Sequence, residues 1–266
     1  MTQGFVTTEG ADIVFDAEGA GPLLLLISGG GGDAARYKGV SSLLSDKFTV
    51  VRYDRRGNHR SGGDRHADLD VAQQARDAAA IIRHVGQQAL VFGNSGGAII
   101  ALQLAVTDPQ LVRAVVAHEP PLLSILPDAA QWFAYQERIY DIFEAEGPLQ
   151  AMHVFTSDIV GAVPVDPSTD AGDYSGKPAD DWEFFMRHEF LQFTRPEPDV
   201  DALASSPLRI ALAVGLESGD VYYTRTARVL AEKATLPVFE MPGNHTPHNL
   251  PAMHAAALRA VMKLFV

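Results

Sequence analysis

The chain has 266 residues, of which 47% are hydrophobic and 20% charged, so it can bury the core of one large domain. Its formal net charge of −12 repels phosphate backbones and anionic lipid headgroups, so we expect neither nucleic acid nor a membrane surface as a partner. The absence of cysteine excludes disulfides, thiolate catalysis and cysteine-ligated metal sites. No basic stretch precedes an apolar run at the N-terminus, so no signal peptide is expected, and the predicted localisation is cytoplasmic.

Short apolar runs alternate with longer helical patterns over the first 120 residues. The predicted elements are a hairpin over residues 7–16, strands over 23–28 and 48–53, a helix over 68–85, a strand over 89–92, a helix over 98–107 and a sixth strand over 112–117. Strands that alternate with helices form parallel sheets through crossover connections. The pattern therefore predicts an α/β fold.

The alternation stops between residues 120 and 207 and then resumes. The interruption contains two aromatic-rich helical patterns, over 129–146 and 180–193, and a loop rich in Pro, Asp, Gly and Ser over 163–178. The later elements are a strand over 208–214, a helix over 221–234, a strand over 236–241 and a closing helix over 251–265. We therefore predict a core domain of residues 1–120 and 206–266, interrupted after the sixth strand by a helical segment of residues 121–205, called the cap.

The strongest motif is Gly93-Asn94-Ser95-Gly96-Gly97, which matches G-x-S-x-G. It follows a predicted strand and opens a predicted helix, which is the setting that a nucleophilic serine requires. Small residues two positions before and after the serine let the strand and helix approach each other, so that the hydroxyl projects above the sheet. Ser95 is therefore the candidate nucleophile.

Two further segments carry chemistry. Residues 28–33 read Ser-Gly-Gly-Gly-Gly-Asp, a loop whose backbone N–H groups can approach a ligand closely, and no phosphate-loop motif accompanies it. His245 follows the last predicted strand, at the edge of a parallel sheet where such folds place their sites. His245 is the candidate base, and His248 is the competing candidate.

With these motifs the chain resembles the α/β-hydrolase superfamily of serine hydrolases over nearly all of its length outside the cap. The resemblance rests on the glycine loop, residues 54–61, the serine motif and residues 242–245, although His59 stands where the family usually has glycine. It implies a mostly parallel central sheet flanked by helices, with the cap inserted after the sixth strand. It also implies an oxyanion hole formed by the N–H groups of Gly30 and Gly96.

The acid of the triad is the least determined residue. The family usually carries an aspartate after the strand at 208–214, where this chain has serine, and Glu217 and Asp220 flank that position. The segment Ala117-His118-Glu119-Pro120-Pro121 is similar to the strand end in zearalenone lactonase, where a glutamate is the acid. We therefore prefer Glu119 and keep Glu217 and Asp220 as alternatives.

Together these residues predict hydrolysis of a carboxylic ester or lactone of a small, largely apolar molecule through an acyl-enzyme, without a metal or organic cofactor. We expect most cap aromatics to pack the cap itself and a minority to line an apolar pocket over Ser95. The candidates for substrate contact are Trp132, Tyr135, Trp182 and Phe185. The alternatives are a cofactor-free perhydrolase, a carbon–carbon bond hydrolase, or a small-molecule binding protein with little turnover. The chain is expected to be a monomer or a homodimer.

Overall fold

A computed structural model describes residues 1–160 and 179–265. In these residues one eight-stranded sheet has the order β1-β2-β4-β3-β5-β6-β7-β8. The strands are β1 (Thr2–Thr8), β2 (Ala11–Glu18), β3 (Leu23–Ile27), β4 (Thr49–Tyr53), β5 (Ala89–Asn94), β6 (Val112–His118), β7 (Arg209–Gly215) and β8 (Val238–Met241). The first two pairings, β1 with β2 and β2 with β4, are antiparallel, and the rest are parallel.

Helices cover both faces of the sheet, which is why all five residues of β3 are buried. The helices are α1 (Lys38–Leu44), α2 (Val71–Val85), α3 (Gly96–Thr107), α4 (Ala129–Glu146), α5 (Pro148–Phe155), α6 (Ala179–Phe184), α7 (Phe190–Thr194), α8 (Val200–Ala204), α9 (Tyr222–Ala234) and α10 (Pro251–Lys263). Buried residues of α1 and α10 pack in one core cluster, and those of α2, α3 and α9 pack in the other. The predicted α/β-hydrolase fold is confirmed.

The helices α4 to α8 lie between β6 and β7, where the sequence predicts the cap. The predicted helix over 129–146 coincides with α4. The predicted helix over 180–193 is instead α6 and α7 joined by a π-helical turn, Phe185–Glu189. The predicted loop over 163–178 lies outside the described residues. The division into a core domain and a cap domain stays a prediction.

Several boundaries differ from those expected. The hairpin is longer than predicted because β1 is an edge strand in which no residue is fully buried, so a criterion based on apolar runs does not detect it. The helix α1 was missed because it has only seven residues, three of them buried. The last strand begins at Val238 rather than at residue 236. None of the described helices is both long and apolar enough to cross a membrane.

Candidate active site

Ser95 lies at the sharp turn between β5 and α3. Its backbone has φ 56° and ψ −127°, a conformation that non-glycine residues adopt only under strain. A β-carbon at Gly93 would collide with the Gly97 carbonyl, and one at Gly97 would collide with the Ile27 carbonyl, so both positions require glycine. The Ser95 N–H donates to the His118 carbonyl at 2.9 Å, which fixes the turn to β6. The side chain is partly exposed at the carboxyl edge of the sheet.

His245 and Glu119 lie together beside this turn. Nδ1 of His245 is 2.8 Å from Oε2 of Glu119. Glu119 follows β6 with φ 49°, and its N–H donates to the Ala213 carbonyl on β7 at 3.0 Å. The Gly215 N–H donates to the other carboxylate oxygen, Oε1, at 2.8 Å. The carboxylate is therefore held from two sides, with one oxygen aimed at the imidazole.

The carboxyl of Glu119 is fully buried, yet its surroundings favour the ionised form. Burial by itself raises the pKa of this group, but the charges of His118 and His245 and the hydrogen bond from His245 outweigh burial and lower the pKa to about 2. Burial lowers the pKa of His118 to about 4, so that imidazole is neutral at pH 7. At neutral pH the hydrogen bonds from His245 and the Gly215 N–H therefore support the carboxylate.

Two neighbours of His245 were not predicted from the sequence. The ring of Tyr223, in the first turn of α9, stacks on the imidazole with ring centroids 3.9 Å apart and planes at 29°. The amide of Asn94 donates to the His245 carbonyl at 3.0 Å and lies 3.0 Å from Nδ1 of His118. Asn94 precedes Ser95, so this amide ties the histidine loop to the serine turn. Asn94 occupies a variable position of the motif, and no local pattern marks Tyr223.

The glycine loop packs against Ser95. A β-carbon at Gly29 would lie 3.3 Å from Oγ of Ser95. The N–H of Gly31 donates to Oε2 of Glu189, and that of Gly32 donates to the Gly29 carbonyl. The N–H of Gly30 has no acceptor among the described residues. Gly96 is the first residue of α3, so its N–H has no intrahelical acceptor.

The predicted cap residues fall into two groups. Phe185 packs on Gly30 so closely that a β-carbon there would collide with the ring, and Trp182 packs edge-on against Phe185 at 6.0 Å between centroids. Trp132 packs on Tyr222 at 5.2 Å and on Tyr135 at 6.0 Å. Phe193, not predicted, packs on Gly96 in the same way as Phe185 packs on Gly30.

The remaining candidates lie elsewhere. Glu217 and Asp220 are exposed, on the loop after β7. His248 is buried against Tyr37 with ring centroids 5.7 Å apart, and burial lowers its pKa well below the ordinary value. In residues 1–160 and 179–265 no group of three or more His, Asp or Glu side chains is arranged to hold a metal ion.

Comparison with known proteins agrees with this architecture. Residues 22–179 match the family model of the α/β hydrolase fold. An uncharacterised hydrolase of Bacillus subtilis, YraK, is 31% identical and covers 94% of this chain and 92% of its own length. An α/β hydrolase from Sphaerobacter thermophilus has a TM-score of 0.71 at 24% identity, covering 98% of this chain and 99% of its own. A thermophilic esterase from Thermogutta terrifontis has a TM-score of 0.73 at 17% identity, covering all of both chains. The two structural likenesses support the fold alone.

Proposed function

The chain belongs to the α/β hydrolase fold family, and from that premise we propose that it is a serine hydrolase of carboxylic esters or lactones of small, largely apolar molecules. The observation that carries the proposal is the contact between His245 and the buried Glu119, beside a serine held in a strained turn. In the proposal, residues 121–205 form a cap over a core of residues 1–120 and 206–266.

The reaction begins when Nε2 of His245 removes the proton from Oγ of Ser95 as the oxygen attacks the substrate carbonyl. The N–H groups of Gly30 and Gly96 stabilise the tetrahedral oxyanion. His245 then protonates the leaving oxygen, and the acyl-enzyme forms. A water molecule, deprotonated by the same histidine, hydrolyses the acyl-enzyme and regenerates Ser95. A lactone follows the same steps, with the leaving alcohol still attached to the acyl group.

Glu119 keeps the imidazole in the tautomer that this reaction needs. Its Oε2 accepts a hydrogen bond from the N–H at Nδ1 of His245, which leaves Nε2 free to act as the base. Its negative charge also stabilises the imidazolium that forms when the serine proton is transferred. The Tyr223 ring supports the same geometry by limiting rotation of the imidazole plane.

The preference for an apolar acyl group is supported by the rings that border the proposed oxyanion donors. Phe185 packs on Gly30 and Phe193 packs on Gly96. The surface that an acyl chain would contact beside the two donors is therefore aromatic. Both rings are at least 90% buried. The lactone part of the proposal rests on the similarity at residues 117–121 and is the part that the substrate panel below decides.

The test combines labelling with a graded substrate panel. A fluorophosphonate probe is expected to modify Ser95, as located by mass spectrometry, and Ser124→Ala serves as a control because Ser124 is a partly buried serine bound to the Pro196 carbonyl. The panel compares p-nitrophenyl esters from acetate to octanoate with lactones of increasing size. Modification of another serine, or turnover that persists in Ser95→Ala, would contradict the proposal. A binding protein would show neither a burst of p-nitrophenol nor turnover.

A further inference from the structure

A carboxylate of the cap lies directly behind the glycine loop. Glu189, 1% exposed, ends the π-helical turn between α6 and α7. Its two oxygens accept from the guanidinium of Arg55, at 2.9 Å from Nη1 to Oε1 and 2.7 Å from Nη2 to Oε2. Arg55 follows β4 and is fully buried. A cap residue therefore supplies the counter-charge for a buried cation of the core, in the bidentate geometry of a strong charge-assisted pair.

The same ion pair holds the backbone of the loop. Arg55 donates from Nε to the Ser28 carbonyl at 3.1 Å and from Nη2 to the Gly29 carbonyl at 2.9 Å. The Gly31 N–H donates to Oε2 of Glu189 at 3.2 Å. The peptide groups on both sides of Gly30 are thus bonded to the pair, one to the arginine and one to the glutamate.

The geometry of the peptide bond connects this arrangement to the oxyanion donor. The Gly29 carbonyl and the Gly30 N–H belong to one planar trans unit, so they point in opposite directions. Arg55 and the Gly32 N–H hold that carbonyl on the inner side of the loop. The Gly30 N–H is therefore directed to the other side. A hydrogen bond from a guanidinium to the carbonyl also polarises the N–H of the same unit, which makes it a stronger donor.

A second cap contact reaches the same loop. Nδ1 of His59 lies 3.4 Å from a carboxylate oxygen of Asp181 on α6, and Nε2 lies 3.1 Å from the Gly31 carbonyl. Both polar groups of the Gly31 backbone are therefore bonded to side chains that belong to the cap or contact it. The loop is fixed from the cap side as well as from the core.

We infer that Glu189 is a positioning residue for the oxyanion donor at Gly30, so that the cap completes the oxyanion hole. The inference rests on the proposed function, since it assigns Gly30 the role that the proposed mechanism requires. Glu189 touches no reacting atom and acts through Arg55 and Gly31. If the π-helical turn were moved away from the loop, the bonds that orient the donor would break.

A second buried ion pair provides a matched control. Asp77 on α2 is fully buried and accepts from Arg56 in the same bidentate way, at 2.8 Å from Nε and 2.6 Å from Nη2. The guanidinium of Arg56 otherwise donates to the carbonyls of Thr8 and Glu9 in the first hairpin, and among the described residues it has no bond to the glycine loop. Asp77→Asn therefore tests the loss of a buried carboxylate without touching the proposed oxyanion hole.

The central variant is Glu189→Gln, which keeps the shape but replaces one acceptor oxygen with a donor. Its amide nitrogen necessarily faces either Nη1 of Arg55 and the Asn58 amide or Nη2 and the Gly31 N–H. We expect kcat per active site, titrated by the p-nitrophenol burst, to fall about 10- to 100-fold, below the full loss of an oxyanion donor. KM should change by less than about twofold, since the donor acts mainly in the transition state.

Inhibitors supply a readout that loss of stability alone does not change. Ser95 adds to the carbonyl of a trifluoromethyl ketone, and the carbonyl oxygen becomes an oxyanion. Such a ketone should therefore bind Glu189→Gln more weakly, by about the same factor as kcat falls. The matching methyl ketone, measured as a ground-state ligand, should bind unchanged. Asp77→Asn should lower the melting temperature and leave kcat per active site within about twofold of the parent protein.

The outcomes separate this inference from the proposed function. If Glu189→Gln keeps kcat per active site within about twofold of the parent, or loses it no more than Asp77→Asn does, the inference is overturned. If Glu189→Gln does not fold, the variant Asn58→Ala is used instead, because it removes one hydrogen-bond donor to Glu189. We expect it to lower kcat about threefold with KM unchanged. An unchanged kcat in Asn58→Ala overturns the inference. Turnover in Ser95→Ala would instead overturn the proposed function.

Discussion

Replacing Glu119 with glutamine changes one atom beside the proposed base. The Gly215 N–H donates to Oε1 of Glu119 at 2.8 Å, so the amide oxygen of Glu119→Gln has to occupy that side. The amide nitrogen then faces Nδ1 of His245, where Oε2 accepted at 2.8 Å. An amide nitrogen is a donor, so Nδ1 must become the acceptor and the ring proton moves to Nε2. The opposite amide orientation would set two N–H donors against each other at Gly215.

The resulting tautomer removes the base from the mechanism. With a proton on Nε2, His245 cannot accept the proton of Ser95, and the imidazolium loses its buried counter-charge. An exchange of this kind costs about 10⁴ in kcat in the serine protease triad, which corresponds to about 5.5 kcal/mol of transition-state stabilisation. We expect a similar loss here because Glu119 is fully buried, so solvent does not reach the carboxylate to replace the missing acceptor.

The assay is the steady-state rate with a p-nitrophenyl ester, accompanied by nitrogen-15 NMR of labelled histidine to read the tautomer. Glu217→Gln and Asp220→Asn are the controls, since both side chains are exposed on the loop after β7 and should leave kcat unchanged. The reasoning is refuted if Glu119→Gln keeps kcat within about tenfold of the parent, or if either control loses activity in its place.

Four further outcomes are expected. Ser95→Ala should lower kcat by about 10⁶ and shift the melting temperature little, because the strained backbone is unchanged; residual activity above a few per cent is the contrary result. Tyr223→Leu should lower kcat about two- to tenfold at similar KM, measured with the same ester, because it removes a ring stacked on His245. Burial lowers the pKa of His254 to about 3, so only the unfolded chain takes up a proton between that value and 6.5. Stability therefore falls as the pH drops below 6.5, by about 2 kcal/mol at pH 5 from this group. His254→Phe should remove that loss, which is measured as the difference in the free energy of urea unfolding between pH 8 and pH 5. If this difference is the same in His254→Phe and in the parent protein, His254 is not its cause. Medium-chain p-nitrophenyl esters should exceed the acetate in kcat/KM because Phe185 borders Gly30, and a best rate with acetate would refute the apolar preference.

The sheet and the serine turn were predictable because the interactions that specify them are local. The apolar run over β3 reports burial on both faces, and the spacing of Gly93 and Gly97 around Ser95 follows from steric demands within five residues. Helix α4 was predicted with its observed bounds, because an 18-residue helix repeats its pattern several times. The seven-residue α1 offers too few repeats, and the edge strand β1 has no second buried face.

The surroundings of the candidate base follow from tertiary structure. Glu119 and His245 are 126 residues apart in the chain. From the sequence, Glu119, Glu217 and Asp220 are all acceptable candidates for the acid, because each follows a predicted strand. The choice among them depends on which strand end faces the histidine loop and on the φ of 49° that turns Glu119 toward it. No periodicity or spacing expresses either quantity.

Glu189 shows the same limit most clearly. From the sequence it is one of several charged residues on an aromatic helix, where solvent exposure is the usual fate of a glutamate. In the structure it is buried because it pairs with the fully buried Arg55, 134 residues away, which requires a counter-charge. The sequence by itself therefore determined most of the strands, the long helices, the candidate nucleophile and the candidate base, through steric and hydrophobic rules that act within an element. Only the tertiary structure decided the partners of the charged groups, because pairing of buried charges depends on which elements meet, and long-range contacts leave no periodic signal along the chain.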